Sequence, residues 1–260
     1  MKHILTLLCA LILHLAPTHA TQIISSFTEA KELLETLDEE SLVIFDVDGV
    51  LIECQDPILR LANRHHLHAL MNQHTGDLPK EHLDELISII YLQAKRFLIE
   101  EEVVSIIQSL HERKIAVIAL TATRIGKIGR LDSVQSWRID DLRSKNIAFT
   151  PFPDCTINRL SYMGPSPIAK EGILFSGNYP KGLVLRSWLD QMGIKPATVV
   201  FFDDIPENIT SVERHMRAIQ IQNLHLFLYR GADKHQELPD LEQAQVQIKQ
   251  LTIDKVWQSP

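Results

Sequence analysis

The chain has 260 residues, 45% of them hydrophobic and 23% charged, with 26 basic against 33 acidic side chains and a formal charge of −7. This length and hydrophobic content suit one substantial α/β domain with an inserted subdomain and exclude a disordered chain. The acidic balance argues against a nucleic-acid backbone as partner.

Met1-Lys2-His3 is a short basic start, residues 4–16 are largely apolar, and Thr18-His19-Ala20 offers small residues at the positions of a cleavage site. This is the layout of a signal peptide over residues 1–20, and it predicts an exported protein, periplasmic or secreted. The apolar run falls short of the roughly 20 residues a membrane span needs, so no stable span is expected after cleavage; an uncleaved anchor is the competing reading. Removal of residues 1–20 takes Lys2 and no acid, leaving 25 basic against 33 acidic residues, a charge of −8. Of the cysteines, Cys54 and Cys155 then remain. In an oxidising compartment they either pair, which would stabilise by about 4 to 5 kcal/mol in the chain-entropy model, or stay as two separate buried thiols.

Ser26-Phe27-Thr28-Glu29 has the spacing of a capping box, predicting a short helix to about residue 37. A buried strand follows over residues 42–45 and stops at Asp46-Val47-Asp48-Gly49. Two acids at the carboxyl end of a buried strand point into a crevice of an α/β sheet; taken alone, an Asp-Gly turn explains them as well. Residues 53–100 show helical spacing and no buried-strand pattern, so they read as a helical insertion between two core segments, 21–52 and 101–260. Its His65, His66, His68 and His74 lack a Cys or a well-spaced acid to complete a zinc set and read as a solvated helix face.

A helix opened by Glu100-Glu101-Glu102 and closed by His111, Arg113 and Lys114 leads to a strand over 115–120 that ends at Thr121. The crossover returns the chain to the same sheet edge, so Thr121 is expected beside Asp46. Arg124, Lys127 and Arg130, spaced by three, are either an anion-binding patch or a solvated face. Residues 135–176 are poorly legible beyond a helix near 134–144 and a strand at 173–175. Lys181 then opens a helix capped by Gly193, and a strand over 198–202 ends in Asp203-Asp204, with Pro206 in the first turn of the next helix. A lysine and a helix N-terminus at that edge make a site for an anion. Four acids, Asp46, Asp48, Asp203 and Asp204, would repel one another in one pocket without a cation, and an all-oxygen set selects Mg²⁺. A last strand over 224–229 and a helix near 241–251 complete the chain.

These four segments, in this order, resemble the motifs of the haloacid dehalogenase superfamily: Asp46-Val47-Asp48-Gly49-Val50 after a strand, a strand ending in Thr121, Lys181 near a helix start, and a strand ending in Asp203-Asp204. The Gly172-Ile173-Leu174-Phe175…Lys181-Gly182 and Asp203-Asp204-Ile205-Pro206-Glu207-Asn208 segments are similar to an exported bacterial branch of unknown function within it. The resemblance implies a Rossmann-like, mostly parallel sheet with helices on both faces, and makes the insertion at 53–100 a small cap that sets substrate choice. It also implies a Mg²⁺-dependent phosphatase acting on small phosphate monoesters through an aspartyl-phosphate intermediate. Asp46 would be the nucleophile and Asp48 the general acid and base. Thr121 and Lys181 would hold the phosphoryl oxygens. Asp46, the Asp48 carbonyl and Asp203 would hold the metal with Asp204 behind them, and Glu207 and Asn208 stand in reserve. Dehalogenases of the superfamily lack the second acid, so Asp48 favours phosphate chemistry. The alternative is an exported binding or effector protein on the same fold with little or no turnover.

Overall fold

The computed structural model describes residues 21–76, 78–158, 160 and 164–259, so the expected signal peptide at 1–20 lies outside the described residues. The chain begins with β1 (Gln22–Ile24), α1 (Lys31–Thr36), β2 (Ser41–Phe45) and β3 (Ile52–Cys54). It continues through α2 (Arg64–Thr75), α3 (Lys80–Gln93), β4 (Arg96–Leu98), α4 (Glu102–Glu112), β5 (Ala116–Thr121) and α5 (Val134–Arg143). Then come β6 (Cys155–Thr156), β7 (Ile168–Lys170), β8 (Ile173–Phe175), α6 (Lys181–Met192), β9 (Thr198–Asp203), α7 (Pro206–Ala218), β10 (Asn223–Tyr229) and α8 (Leu241–Asp254). Ahead of α1, Ser26 and Glu29 form the capping box their spacing predicts, around a 3₁₀ turn that leads into the helix.

The main sheet runs β1-β10-β9-β2-β5-β8-β7-β6. It is parallel from β1 to β8, and β7 and β6 add an antiparallel edge. β2 lies in the middle, all five of its residues buried, because both faces of the sheet are covered. Val43 and Phe45 face a layer that includes Ile107 of α4 and Leu142 of α5, whereas Leu42 and Ile44 face Trp188 of α6 and Val212 of α7. Each such side chain contributes about 1.5–3 kcal/mol relative to exposure. After β2 the chain builds β5 on one side, and it later crosses back to lay β9 on the other. The carboxyl end of β2 is therefore a topological switch point, where an open α/β sheet leaves its crevice.

The insertion differs from the expectation in two ways. It is framed by β3 and β4, which pair antiparallel as a separate two-stranded sheet. These strands are three residues long and carry Glu53 and Arg96 inside them, so neither presents an apolar run. Secondly, the C-terminal segment does not belong to the core layers. Ala244, Ile248 and Leu251 of α8, with Trp257, pack against Leu70 of α2 and Leu86 and Ile89 of α3, and Gln247 donates to the buried Asp56 carboxylate at 2.7 Å. α8 thus packs on the insertion although it falls within the segment 101–260 expected as core.

Cys54 sits in β3 and Cys155 in β6, and both are free thiols, so the pair that export would have permitted does not form. Among the described residues no helix is long and apolar enough to cross a membrane.

Candidate active site

The carboxyl ends of β2, β5 and β9 bring Asp46, Thr121 and Asp203 together, and the first turn of α6 adds Lys181. Phe45 stands opposite Phe202 on one side and Ala119 on the other, which fixes the level at which each strand releases its polar residue. α6 reaches this edge because Gly182 lets it lie against α7; a Cβ there would come within 2.1 Å of the Ser211 carbonyl oxygen.

The Lys181 ammonium lies 2.7 Å from Asp46 Oδ1 and 2.7 Å from Asp203 Oδ2, with all three side chains buried. Asp46 Oδ1 also accepts from its neighbour's backbone, Val47 N, at 2.6 Å, while Oδ2 takes no hydrogen bond from the described residues. Asp203 Oδ1 accepts from Ile205 N at 2.9 Å and from Asn208 Nδ2 at 3.0 Å. Asp46, Asp203 and Asp204 each offer an oxygen within 4.8 Å of the others, and among the described residues they are the group suited to a metal ion. Asp204 Oδ1 is buried with no hydrogen-bond partner among the described residues. A buried carboxylate oxygen without a donor is costly, and a hard cation is the partner its chemistry fits. Gly49 closes the other side: at φ +83°, a Cβ there would lie 2.5 Å from Asp204 Oδ2.

Asp46 and Asp203 share the Lys181 ammonium, with Asp204 beside them, and the proton affinities of Asp46, Asp204 and Lys181 respond to this crowding. Burial pushes the Asp46 carboxyl well up, Lys181 opposes this, and Asp203 and Asp204 raise it further. Burial and then Asp203 lift Asp204 to about 6 against the pull of Lys181. Burial would lower the Lys181 ammonium, but Asp203 and Asp46 outweigh it and hold it at about 12.

Asp48 falls outside this group. Its carboxylate is half exposed and is gripped by Arg138 of α5, whose Nη2 donates to Oδ1 at 2.8 Å and Oδ2 at 2.9 Å. The Asp48 side chain thus stands apart from the other three acids, whereas the metal contact expected of Asp48 is through its backbone carbonyl. Arg138 itself is buried, and its Nε has no hydrogen-bond partner among the described residues. Thr121 Oγ1 exchanges a 2.8 Å hydrogen bond with Thr123 Oγ1 and accepts from Thr123 N at 3.2 Å.

A cavity of about 410 Å³ opens above these residues. Asp46, Asp48, Thr121 and Lys181 line its floor, and the cap supplies Arg64, Leu67 and His68 from α2 with Ile87, Ile90 and Tyr91 from α3. Asn208 also lines it, whereas Glu207 is exposed and does not. Arg124 and Arg130 do not form a common cationic face with Lys127. They reach α3, pairing with Asp84 at 3.1 Å and Glu85 at 3.0 Å, while Lys127 pairs with Asp132. No histidine of α2 joins a metal-ligand group among the described residues.

Two residues of the site escape sequence reasoning. Glu53, on the cavity wall, is lifted to about 7 by burial, against the Cys54 N–H that it accepts. Nothing in the sequence marks it. Arg138 did leave a signal: it occupies the apolar stripe of α5 between Val134 and Leu142, where the helical period expects a hydrophobic residue.

Fold and site together define an α/β protein with an acidic, lysine-bridged pocket at the switch point of a mostly parallel sheet, roofed by a small helical insertion. The chain belongs to the family described as "Protein of unknown function (DUF2608)", whose model matches residues 23–257. It is also similar to "Uncharacterized protein RP296" of Rickettsia prowazekii (strain Madrid E), at 21% identity over 227 residues, covering 85% of this chain and 81% of the relative.

Proposed function

We propose that the protein is a phosphatase of the haloacid dehalogenase type that uses Mg²⁺ and acts on small phosphate monoesters outside the cytoplasm. The observation that carries this reading is the Lys181 ammonium, 2.7 Å from both Asp46 and Asp203, beside the orphaned oxygen of Asp204. The export component rests on the sequence of residues 1–20.

Asp46 Oδ2 attacks phosphorus, the bond from phosphorus to the ester oxygen breaks, and Asp48 gives the leaving oxygen its proton. Water then attacks the aspartyl phosphate, Asp48 takes its proton, and inorganic phosphate departs with Asp46 restored. Lys181 and Thr121 hold the phosphoryl oxygens as their charge redistributes. Asp46, Asp203 and Asp204 would hold the Mg²⁺, which supplies neutralisation of the charge that a carboxylate and a phosphate dianion bring together. The orphaned oxygen supports a direct part for Asp204 in that set, where the resemblance implies a place behind it.

The second reading, an exported binding or effector protein with little turnover, is favoured by one observation: both oxygens of Asp48 are engaged by Arg138. Hydrolysis of an aryl phosphate by residues 21–260, with Mg²⁺ and with chelator, separates the two. Metal-dependent turnover supports the phosphatase; a folded, Mg²⁺-binding chain inert towards a broad panel of esters favours the binding protein.

A further inference from the structure

Among the described residues six cationic side chains line the cavity, and five of them are held by the protein. Lys181 contacts Asp46 and Asp203, Arg138 contacts Asp48, and Arg124 contacts Asp84. Arg60 donates to the carbonyl oxygens of Cys54 and Gln55 at 2.9 Å each. Arg96 donates to the Ala94 carbonyl at 3.0 Å and lies over the Trp137 ring. The sixth, Arg64, has no hydrogen bond or ion pair with the described residues. It stands in the first turn of α2, one turn before His68, with Leu67 between them, and all three line the cavity. Ile87 and Ile90 of α3 continue the apolar wall.

A guanidinium without a counter-charge, at the cap end of a cavity in an acidic protein, is suited to bind a planar or tetrahedral anion in two-pronged fashion. The phosphoryl group is already provided for at the floor, by Lys181 and Thr121. The cavity, about 410 Å³, is of a size that takes a small organic molecule as well as its phosphate. We infer, on the phosphatase reading above, that the substrate carries a second anionic group, a carboxylate or another phosphate, joined to the esterified phosphate by an apolar segment, and that Arg64 binds this second anion against the cap. Substrate choice then lies in the distance between two charges, with Leu67, Ile87 and Ile90 contacting the segment between them.

The test is a set of straight-chain esters of increasing length in three arms: alkyl phosphates, ω-carboxyalkyl phosphates and alkanediyl bisphosphates. At one chain length, wild-type kcat/KM for a doubly anionic ester exceeds that of the matching alkyl phosphate by at least about tenfold, and the arm that shows it identifies the anion. Arg64→Gln brings the ratio below about threefold, mainly through KM, and Arg64→Lys retains an intermediate ratio. Arg64 is exposed, so the variants fold, which thermal melts check. No preference at any length, or a preference that survives Arg64→Gln, overturns the inference. If wild-type protein hydrolyses none of the esters, the phosphatase reading fails separately, and calorimetric binding of the same compounds decides: affinity lost in Arg64→Gln supports the anion site, and no binding or equal affinity in both proteins removes it.

Discussion

Arg138 Nη2 donates to both carboxylate oxygens of Asp48, joining residues 90 positions apart. The partners are unequal: the arginine side chain is 4% exposed and the aspartate side chain 55%. Removing the Asp48 carboxylate therefore leaves the buried guanidinium with one carboxylate partner among the described residues, Asp141, 3.4 Å away at a different nitrogen. Asp48→Asn is expected to lower stability by about 1–3 kcal/mol and to slow turnover of esters with poor leaving groups, while Mg²⁺ binding survives. Denaturant melts, kinetics on an alkyl phosphate and metal titration check all three. Unchanged turnover would reject the acid–base role.

Among the described residues Lys181 is the one ammonium beside three gathered carboxylates. Lys181→Met leaves buried acids without their cation and should cost about 3–5 kcal/mol in the presence of chelator. Mg²⁺ should restore part of this, since it supplies positive charge at the same acids. Equal melting of variant and wild type in chelator would mean that the bridge contributes nothing to stability.

The acids also set a pH dependence. Folding raises Asp204 to about 6 and Glu53 to about 7, so both bind a proton more tightly in the folded chain. Each contributes stability that is fully present below its unfolded value, near 4, and is lost as pH rises through the folded value. Metal-free protein should therefore melt at a higher temperature near about pH 5 than near about pH 7.5, and added Mg²⁺ should stabilise more at the higher pH, where it does not compete with protons. A metal-free melting temperature that increases over this interval would show that these groups do not dominate the balance.

Gly49 has φ +83°, and a Cβ there would meet the Asp204 carboxylate. Gly49→Ala is expected to cost about 1–2 kcal/mol in backbone conformation and to weaken Mg²⁺ binding by displacing an acid it does not replace. Isothermal titration with Mg²⁺ measures the second effect; wild-type affinity would show that Asp204 is not needed for the metal.

The strands that carry the site were legible because each is a buried apolar run ending abruptly in a polar residue: 42–45 before Asp46, 115–120 before Thr121, and 198–202 before Asp203. Burial on both faces removes any alternation, so length and the terminal acid give the signal. Lys181 was legible because the helix behind it ends at Gly193 and leads directly into β9, which fixes its edge. The roof was not. β3 and β4 are too short and too polar to show a period, and the packing of α8 on α2 and α3 is a long-range choice that the apolar face of α8 permits without specifying. Arg138 lay in plain view within an apolar stripe, but its partner lies 90 residues away and no local pattern names it.

The central claim, that Asp46 is the nucleophile, is tested most directly by quenching the reaction in acid during turnover of an aryl phosphate with Mg²⁺ and mapping phosphorylation by peptide mass spectrometry. The expected result is a phosphoryl group on Asp46 in the wild type, with neither phosphorylation nor turnover in a folded Asp46→Asn variant. Turnover that persists in Asp46→Asn, or a phosphoryl group on another residue, would contradict it.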